Sequence, residues 1–389
     1  MLRFKVRCTS PSNYHGKKVW WFVLTGGPCS GKTTALARLK KDLTNKGYKV
    51  FMIDEAATRI INSGISYKEL GNYEFQSYIA TTQLVNEALI EDAIQKYIAL
   101  PNSKDDIVII CDRGIMDGKA YMDSEEDFKN LMESFGTSVN KARSSYDVVV
   151  HLVTAANGAE EYYTLENNEA RSESPEEARA IDRKTFAAWS GHKHIAIIDN
   201  STDFDKKIDR ALENFYRMLG VPIPIDSFKK YLISMPNLLK LEKDFYCNFS
   251  KVEITRTYLI NKNNASIERS VIKTGADGDN AYYYNEKRHF EGYDKIDVER
   301  HISKKEYISL LSGNNVRIKE IKKTRYGFVW NNKYYELDVF DFWKDKAILK
   351  VQLTDRSDEV EVPSVLNVLM DITNDMSYTN FSLAQNIFD

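Results

Sequence analysis

The chain has 389 residues, of which 43% are hydrophobic and 28% are charged, and its 54 basic and 56 acidic residues give a formal net charge of −2. This length exceeds what one hydrophobic core usually organises, so it predicts two or more domains, and the composition excludes a disordered, collagen-like or low-complexity chain. Because the near-neutral charge creates no global basic field, nucleic acid is not an expected partner.

Apolar runs and cysteines indicate the compartment. The apolar run Val19–Leu24 is far shorter than the roughly 18 residues that a membrane span needs. The four cysteines are too widely spaced for a metal knuckle or a disulfide framework. We therefore expect a cytoplasmic protein, with any membrane association being peripheral.

After an N-terminal extension over residues 1–18, the chain alternates between β-rich runs and helical stretches. The β-rich runs are residues 19–24, 48–53, 107–111, 147–153 and 194–199. Such alternation predicts an α/β domain over residues 19–220, with a parallel sheet and helices on both of its faces.

A phosphate-binding motif follows the first predicted strand. Its pattern is GxxxxGK[ST], placed between a strand and a helix, which is the context that the motif requires. The glycines allow backbone N–H groups to surround phosphate oxygens, and the helix N-terminus favours the same anion. Lys32 is expected to neutralise the β and γ phosphates, and the Thr33 hydroxyl to bind Mg²⁺. The predicted nucleotide-binding run is Gly26, Gly27, Pro28, Cys29, Ser30, Gly31, Lys32, Thr33 and Thr34.

Two acidic residues at predicted strand ends are candidate catalytic groups. Asp112 ends the third strand, where a carboxylate suits a Mg²⁺ contact, although it also fits a strand-ending turn. Glu55 follows the second strand and could accept a proton from a substrate hydroxyl. A helix N-cap contact by the neighbouring Asp54 explains that acidic pair almost as well.

Three arginines are candidates for contacts with transferring phosphates. The capping box Ser174-Pro-Glu-Glu177 predicts a helix that places Arg179 and Arg183 on one face, with Arg171 in the preceding loop. Arginines on a lid clamp phosphates in small kinases, but Glu176, Glu177 and Asp182 could instead pair with these arginines as an ion network. The chain has no NKxD element, so the choice between ATP and GTP stays open.

A second domain is predicted over residues 221–389, after the helix-breaking segment 221–225. Eight strand-like runs with meander spacing predict an antiparallel β-barrel with α+β character, and Pro363 is expected to open a helix. The runs are residues 226–233, 251–260, 266–273, 281–289, 295–302, 316–330, 333–340 and 347–354.

Basic residues recur along these strands. Lys323 and Arg325 are two positions apart in the sequence. Side chains at this spacing share one face of a strand. If that face lines the barrel, the lumen binds a phosphorylated ligand; if it points outward, the charges are solubilising. The candidate cations are Lys230, Arg269, Lys273, Lys287, Arg300, Lys323, Arg325 and Lys350.

Across nearly its whole length the chain resembles the TRPL translocation defect protein fourteen family, in which an NadR-like P-loop domain precedes a CYTH-like triphosphate-tunnel domain. The segments that carry the resemblance are Gly26–Thr33, Glu55–Thr58, His151–Glu161, Tyr163–Arg171, Lys323–Tyr326 and Tyr335–Phe340. The resemblance implies a GTP-binding protein that also binds anionic phospholipids, such as phosphatidic acid or phosphoinositides, and acts in membrane-protein trafficking.

The chain departs from the CYTH pattern at its metal-binding positions. Where that pattern has ExExK, the sequence has Asp226, Phe228 and Lys230, and a later ExE is replaced by Lys350 and Gln352. The resemblance leaves Asp226 with Glu336 and Asp338 as metal contacts, which are too few oxygen ligands for two bridged Mg²⁺ ions. We therefore expect this domain to bind a phosphorylated ligand without hydrolysing triphosphate.

Overall fold

The computed structural model describes residues 14, 16–103, 105–163, 174–220, 228–245, 249–260, 267–276, 279–290, 293–315, 317–331, 333–353 and 360–386. The chain divides into two compact units, Met1–Phe215 and Tyr216–Asp389. Arg171 and Asp226 lie outside the described residues.

The first unit is built on a parallel sheet of five strands, as the sequence predicts. The strand order is β2-β3-β1-β4-β5, and every neighbouring pair is parallel. Strands β1 and β3 lie in the interior, and the β3 residues Ile107 to Cys111 are fully buried because both faces of the sheet are covered. The strands are β1 (Val19–Gly26), β2 (Lys49–Ile53), β3 (Ile107–Asp112), β4 (Val148–Leu152) and β5 (Ile195–Ile198).

Helices connect these strands. Because the chain passes from β1 to β2 in one direction and returns to β3 in the other, right-handed crossovers place α1 and α3 on opposite faces of the sheet. Helix α7 lies beside α1, since Arg38 of α1 and Asp209 of α7 form an ion pair of 2.5 Å. The helices are α1 (Lys32–Asn45), α2 (Ala56–Asn62), α3 (Tyr67–Ile98), α4 (Glu125–Ser134), α5 (Val139–Arg143), α6 (Pro175–Trp189) and α7 (Phe204–Met218), with 3₁₀ helices at Ile115–Tyr121 and Glu160–Tyr162.

The second unit contains an antiparallel sheet of nine strands in the order β10-β9-β8-β7-β11-β12-β13-β6-β14. The strands are β6 (Phe228–Ser234), β7 (Ser250–Tyr258), β8 (Ile267–Ala276), β9 (Asp279–Phe290), β10 (Tyr293–Ile302), β11 (Ile321–Trp330), β12 (Lys333–Phe340), β13 (Lys346–Gln352) and β14 (Val368–Asp371). Strands β10 and β14 stand at the two ends of this order, so the unit is a large antiparallel sheet, and its closure into a barrel stays a prediction.

The segment after Pro363 differs from the expected helix. The chain makes a turn there, in which Leu366 N–H donates to Pro363 O (2.9 Å), and then forms β14. Strand β14 was missed because it has only four residues and all four side chains are exposed, so it lacks a period-two apolar pattern.

The second sheet has an apolar cluster on each of its two faces. One face packs Leu337 and Leu349 against Leu241 of α8 (Leu238–Asp244). At one end of the other face, Phe340 packs with Leu383 of α10 (Asn380–Asn386). The middle of that second face is polar and carries most of the charges described below. A third helix, α9 (Lys304–Leu311), is capped by Ser303, whose side chain accepts from Glu306 N–H.

Candidate functional site

The phosphate-binding motif forms a tight loop between β1 and α1. The backbone of Cys29 and Gly31 has positive φ, 54° and 93°, which turns the chain sharply just before the helix. Gly31 also lies against the Phe204 ring, where any Cβ would be too close. Lys32 begins α1, and Thr33 and Thr34 are exposed in its first turn. The loop therefore leads directly into a helix N-terminus, an arrangement that is suited to phosphate.

The rest of the loop is held from outside. Gly27 N–H donates to Asp182 Oδ1 of α6 (2.7 Å), and Thr154 Oγ1 donates to Pro28 O (2.5 Å). The ion-network hypothesis paired Asp182 with the arginines on its helix. Asp182 instead contacts the phosphate loop. Its role was not predicted because 155 residues separate it from Gly27.

Asp112 lies at the carboxyl end of β3, as predicted. Burial raises its pKa from 3.8 to about 6, and Lys32 opposes this shift less strongly. Its Oδ1 atom is buried and accepts no hydrogen bond. A carboxylate oxygen in this state suits a cation, and the Mg²⁺ contact expected of Asp112 and Thr33 stays a prediction. The described residues contain no group of three or more His, Cys, Asp or Glu side chains arranged to hold a metal ion.

Glu55 is an ion-paired carboxylate. Burial raises its pKa, but Arg113 and Lys32 outweigh burial and lower the pKa to about 2. Arg113 Nε donates to Glu55 Oε1 (2.5 Å), and Thr58 Oγ1 donates to Glu55 Oε2 (2.6 Å). A carboxylate with so low a pKa is a weak general base near neutral pH. The geometry therefore favours Glu55 as a binding or orienting group.

Two further residues of this cluster were not predicted as site residues. Arg113 follows Asp112 directly, and that adjacency at a strand end was the available signal. Asp117 is buried and accepts hydrogen bonds from Arg113 Nη1 (3.0 Å), from Trp189 Nε1 (3.0 Å) and from the Thr25 hydroxyl. Asp117 thus fixes the Arg113 guanidinium that contacts Glu55.

The arginines of α6 are only partly available for phosphate. Arg179 donates to Ala156 O (2.6 Å) and to Glu176 Oε1 (2.8 Å), which matches the ion-network alternative. Arg183 is exposed on the same helix. Arg171 lies outside the described residues, so its proposed contact with phosphate stays a prediction.

In the second unit, a charged cluster occupies the polar face of the sheet. Asp338 forms an ion pair with Lys323 Nζ (2.5 Å). It also accepts two hydrogen bonds from the Arg325 guanidinium (2.7 and 2.9 Å). Glu336 lies 2.9 Å from Arg325 Nη1 and 3.4 Å from Lys350 Nζ. The cations that were expected to form a cationic lumen are therefore largely neutralised by carboxylates of the same sheet. Lys323 in addition is only 6% exposed.

Asp338 is not available in the way that a metal site requires. Although burial raises the pKa of Asp338, Arg325 and Lys323 outweigh it and hold that pKa well below its usual range. Phe228 stands where the family resemblance leads one to expect a glutamate. Lys350 Nζ lies over its ring, 3.5 Å from the ring centroid. This contact is a cation–π interaction in the place of a carboxylate contact.

The strand register divides the predicted cations between the two faces. The pairs Arg325↔Asp338, Glu336↔Lys350 and Lys350↔Lys230 place the charged cluster and Lys230 on one face. By the same alternation through β7, β8 and β9, Lys287 shares that face. Three of the predicted cations lie on the opposite face, and these are Arg269, Lys273 and Arg300.

The expectation that all eight cations line one lumen is therefore wrong for these three. Arg269 pairs with Glu286 (3.0 Å) and Arg300 with Glu306 of α9 (2.7 Å). Composition suggested a shared face, but the offset between strands, which decides the face, cannot be read from one sequence.

None of the described helices is both long enough and apolar enough to span a membrane.

A comparison with known protein families matches a stretch within the first unit. Residues 21–207 match the family model described as AAA domain. The chain is 24% identical over 189 residues to a thymidylate kinase of Mycoplasma capricolum subsp. capricolum, covering 47% of this chain and 88% of that protein.

Similar solved structures include a triphosphatase. The inorganic triphosphatase NE1496 is 19% identical with a TM-score of 0.31, and the alignment covers 42% of this chain and 97% of that one. The PH1012 protein from Pyrococcus horikoshii OT3 is 17% identical with a TM-score of 0.25, covering 33% and 80%. The match to the family model, the parallel sheet and the loop at residues 26–34 agree, and residues 21–207 form an AAA-like P-loop nucleotide-binding domain.

Proposed function

We propose that this protein binds ATP or GTP with Mg²⁺ at residues 26–34 and uses nucleotide binding to regulate a second ligand contact made by its C-terminal sheet. The observation that carries the first part is Asp112, whose buried oxygen accepts no hydrogen bond beside the phosphate loop. A bound cation would satisfy that oxygen and would remove the electrostatic cost that raises the pKa of Asp112.

Different groups of the chain bind the phosphates and the cation. The loop amides and Lys32 receive the phosphates, while Thr33 and Asp112 hold the cation. Mg²⁺, when bound, neutralises charge on the β and γ phosphates. Arg113 and Glu55 are held beside the site by Asp117 and Thr58.

Calorimetry of the full chain with Mg·ATP and Mg·GTP tests this proposal. We expect binding of at least one nucleotide, and we expect the binding to weaken when Mg²⁺ is chelated. A wild-type chain that gives no heat and no thermal stabilisation with either nucleotide would overturn it.

A metabolic kinase is the second candidate function, and the similarity to thymidylate kinase favours it. A kinase with a nucleoside-like acceptor should turn over at roughly 1 to 100 per second. The paired state of Glu55 argues against its use as a general base, so we expect no such turnover with a panel of nucleosides and ATP. Turnover in this range that Glu55→Gln abolishes would favour the kinase.

The second ligand is proposed to be a phosphorylated anion, such as the head group of phosphatidic acid or a phosphoinositide. The cluster of Lys323, Arg325 and Lys350 with Glu336 and Asp338 holds three cations and two carboxylates, so one positive charge is in excess. Lys230 lies on the same face of the sheet. An excess of positive charge that is partly shielded from water favours binding of a phosphate.

The family resemblance extends this proposal to membrane-protein trafficking. Co-sedimentation with phosphatidic acid vesicles, compared with phosphatidylcholine vesicles, tests the lipid, and soluble inositol phosphates test the free head group. The double variant Lys230→Gln and Lys350→Gln should reduce binding to the phosphatidic acid vesicles. The matched control is Lys273→Gln, on the opposite face, which should bind normally. Equal binding by the double variant and the wild type would contradict the proposal.

A further inference from the structure

Helix α6 contacts the phosphate loop through a buried carboxylate. Asp182 is 5% exposed, and its Oδ1 atom accepts from Gly27 N–H (2.7 Å) and from Thr154 N–H (3.3 Å). His151 Nε2 of β4 lies 3.0 Å from the same oxygen. One oxygen thus joins the phosphate loop, the end of β4 and α6.

The contact requires glycine at position 27. A Cβ added there would clash with the Asp182 carboxylate, so the loop backbone and the helix side chain meet with no room between them. A glycine is expected where backbone must approach another group this closely. Gly27, which follows the first glycine of the motif, therefore serves the contact with Asp182.

The loop after β4 also holds the phosphate loop. Thr154 Oγ1 donates to Pro28 O (2.5 Å), and Ala155 N–H donates to Cys29 O (3.4 Å). Arg179, three residues before Asp182 on α6, donates to Ala156 O (2.6 Å). Helix α6 and the loop after β4 consequently form one hydrogen-bonded support behind residues 27–29.

We propose that Asp182 is a positioning residue for nucleotide binding, which holds Gly27 and so fixes the loop amides in the geometry that receives phosphate. The inference rests on the nucleotide binding proposed above. Asp182 is not proposed to touch the nucleotide. A misplacement of about 1 Å in a positioned group is enough to lower an enzyme's rate by up to about a hundredfold, and we expect a loss of affinity of up to this size when the loop is displaced.

The carboxylate has two opposing effects that mutation can separate. Its negative charge repels a nearby polyphosphate, whereas its hydrogen bonds place the loop that binds the polyphosphate. Asp182→Asn keeps an oxygen that can accept from Gly27 and Thr154 but removes the charge. Asp182→Ala removes both.

The experiment measures the Kd of the full chain for Mg·ATP and Mg·GTP by calorimetry, below the melting temperature of each variant. We expect Asp182→Ala to bind about tenfold to a hundredfold more weakly. Asp182→Asn should bind as tightly as the wild type or more tightly, because it rescues the geometry without the charge. This rescue is the readout that a merely structural role would not produce.

Asp199→Ala is the matched control. Asp199 is a buried carboxylate that follows β5 at the same edge of the sheet and pairs with Arg210 (2.9 Å). It should lower the melting temperature while leaving the Kd unchanged. If Asp182→Ala behaves like Asp199→Ala, or tightens binding as much as Asp182→Asn does, the inference is overturned.

Two further outcomes are distinguishable. A wild-type chain that binds neither nucleotide refutes the proposed function, whereas normal binding by Asp182→Ala refutes only the positioning role. If Asp182→Ala does not fold, Thr154→Val decides, because it removes the hydroxyl that holds Pro28 and nearly keeps the side-chain shape. Weaker nucleotide binding by Thr154→Val supports the inference, and an unchanged Kd overturns it.

Discussion

Two strand carboxylates, Asp112 in the first unit and Asp338 in the second, are in opposite electrostatic states. Asp112 has a raised pKa and an oxygen without a hydrogen bond, whereas Asp338 has a lowered pKa and contacts from Lys323 and Arg325. Burial disfavours the charge in both cases, so the difference comes from the partners that the chain supplies. A carboxylate that the fold leaves unsatisfied is suited to an external cation, and a satisfied one stabilises the fold.

The largest expected effect follows from removing the satisfied carboxylate. Asp338→Ala leaves Lys323 buried without its carboxylate and should destabilise the protein by about 3–5 kcal/mol. Urea denaturation of the full chain measures this free energy of unfolding. The control Asp341→Ala removes an exposed carboxylate just after the same strand. Equal losses for the two variants would mean that the buried pairs are not needed for stability.

Removing the cation of the phosphate loop should have the next largest effect. Lys32→Ala should weaken nucleotide binding by about a hundredfold or more, because the ammonium group neutralises phosphate charge, and it should leave the melting temperature nearly unchanged. Calorimetry and thermal melting measure the two quantities. Lys41→Ala, at an exposed position of the same helix, is the control and should bind normally. Unchanged affinity in Lys32→Ala would place the phosphates elsewhere.

The unsatisfied carboxylate predicts a pH dependence of stability in the absence of Mg²⁺ and nucleotide. The folded-state pKa of Asp112 is raised from 3.8 to about 6, so the folded state binds its proton more tightly than the unfolded state. Stability should therefore fall as the pH rises from about 4 to about 6, and should stay lowered above that range. Asp112→Asn should remove this dependence and stabilise the protein at pH 7 by about 1–3 kcal/mol.

Thermal melting at pH 4 and pH 7 measures this difference. Asp54→Asn, at the exposed end of β2, is the control and should retain the pH dependence of the wild type. An Asp112→Asn variant that is less stable than the wild type at pH 7 would show that the folded protein already satisfies this carboxylate.

The smallest effect concerns a carboxylate in full contact with water. Ser174 and Glu177 form the capping box of α6, in which Ser174 N–H donates to Glu177 Oε2 (2.7 Å). Ser174→Ala should cost about 1 kcal/mol in the free energy of unfolding, and Glu177→Gln should cost less. Urea denaturation measures both. A loss in Glu177→Gln as large as that in Asp338→Ala would contradict the role assigned to burial.

The sequence predicts features whose residues are neighbours in the chain. The phosphate loop occupies one continuous run, and the capping box of α6 spans four residues, so both were predicted correctly in their local structure. The five strands of the parallel sheet were likewise found, because buried parallel strands are continuous apolar runs.

The contacts that define the chemistry of the site join distant segments. Asp182 is hydrogen-bonded to Gly27, and Asp117 to Trp189. Arg113 is hydrogen-bonded to Glu55, which is 58 positions away in the sequence. A local pattern carries no information on which acid meets which partner in three dimensions. For the same reason, period two indicated that Lys323 and Arg325 share a face but could not indicate that Arg269 lies on the other one.

Trp189 gives the protein a built-in optical reporter. Its indole is fully buried, and its ring N–H is held by Asp117, the carboxylate that also fixes Arg113. Indole emission responds to charge in its immediate surroundings, so a change in this carboxylate or its guanidinium partner should alter the fluorescence without any attached dye. Occupation of the neighbouring site could then be followed in real time on the unlabelled chain, with Trp189→Phe identifying the signal.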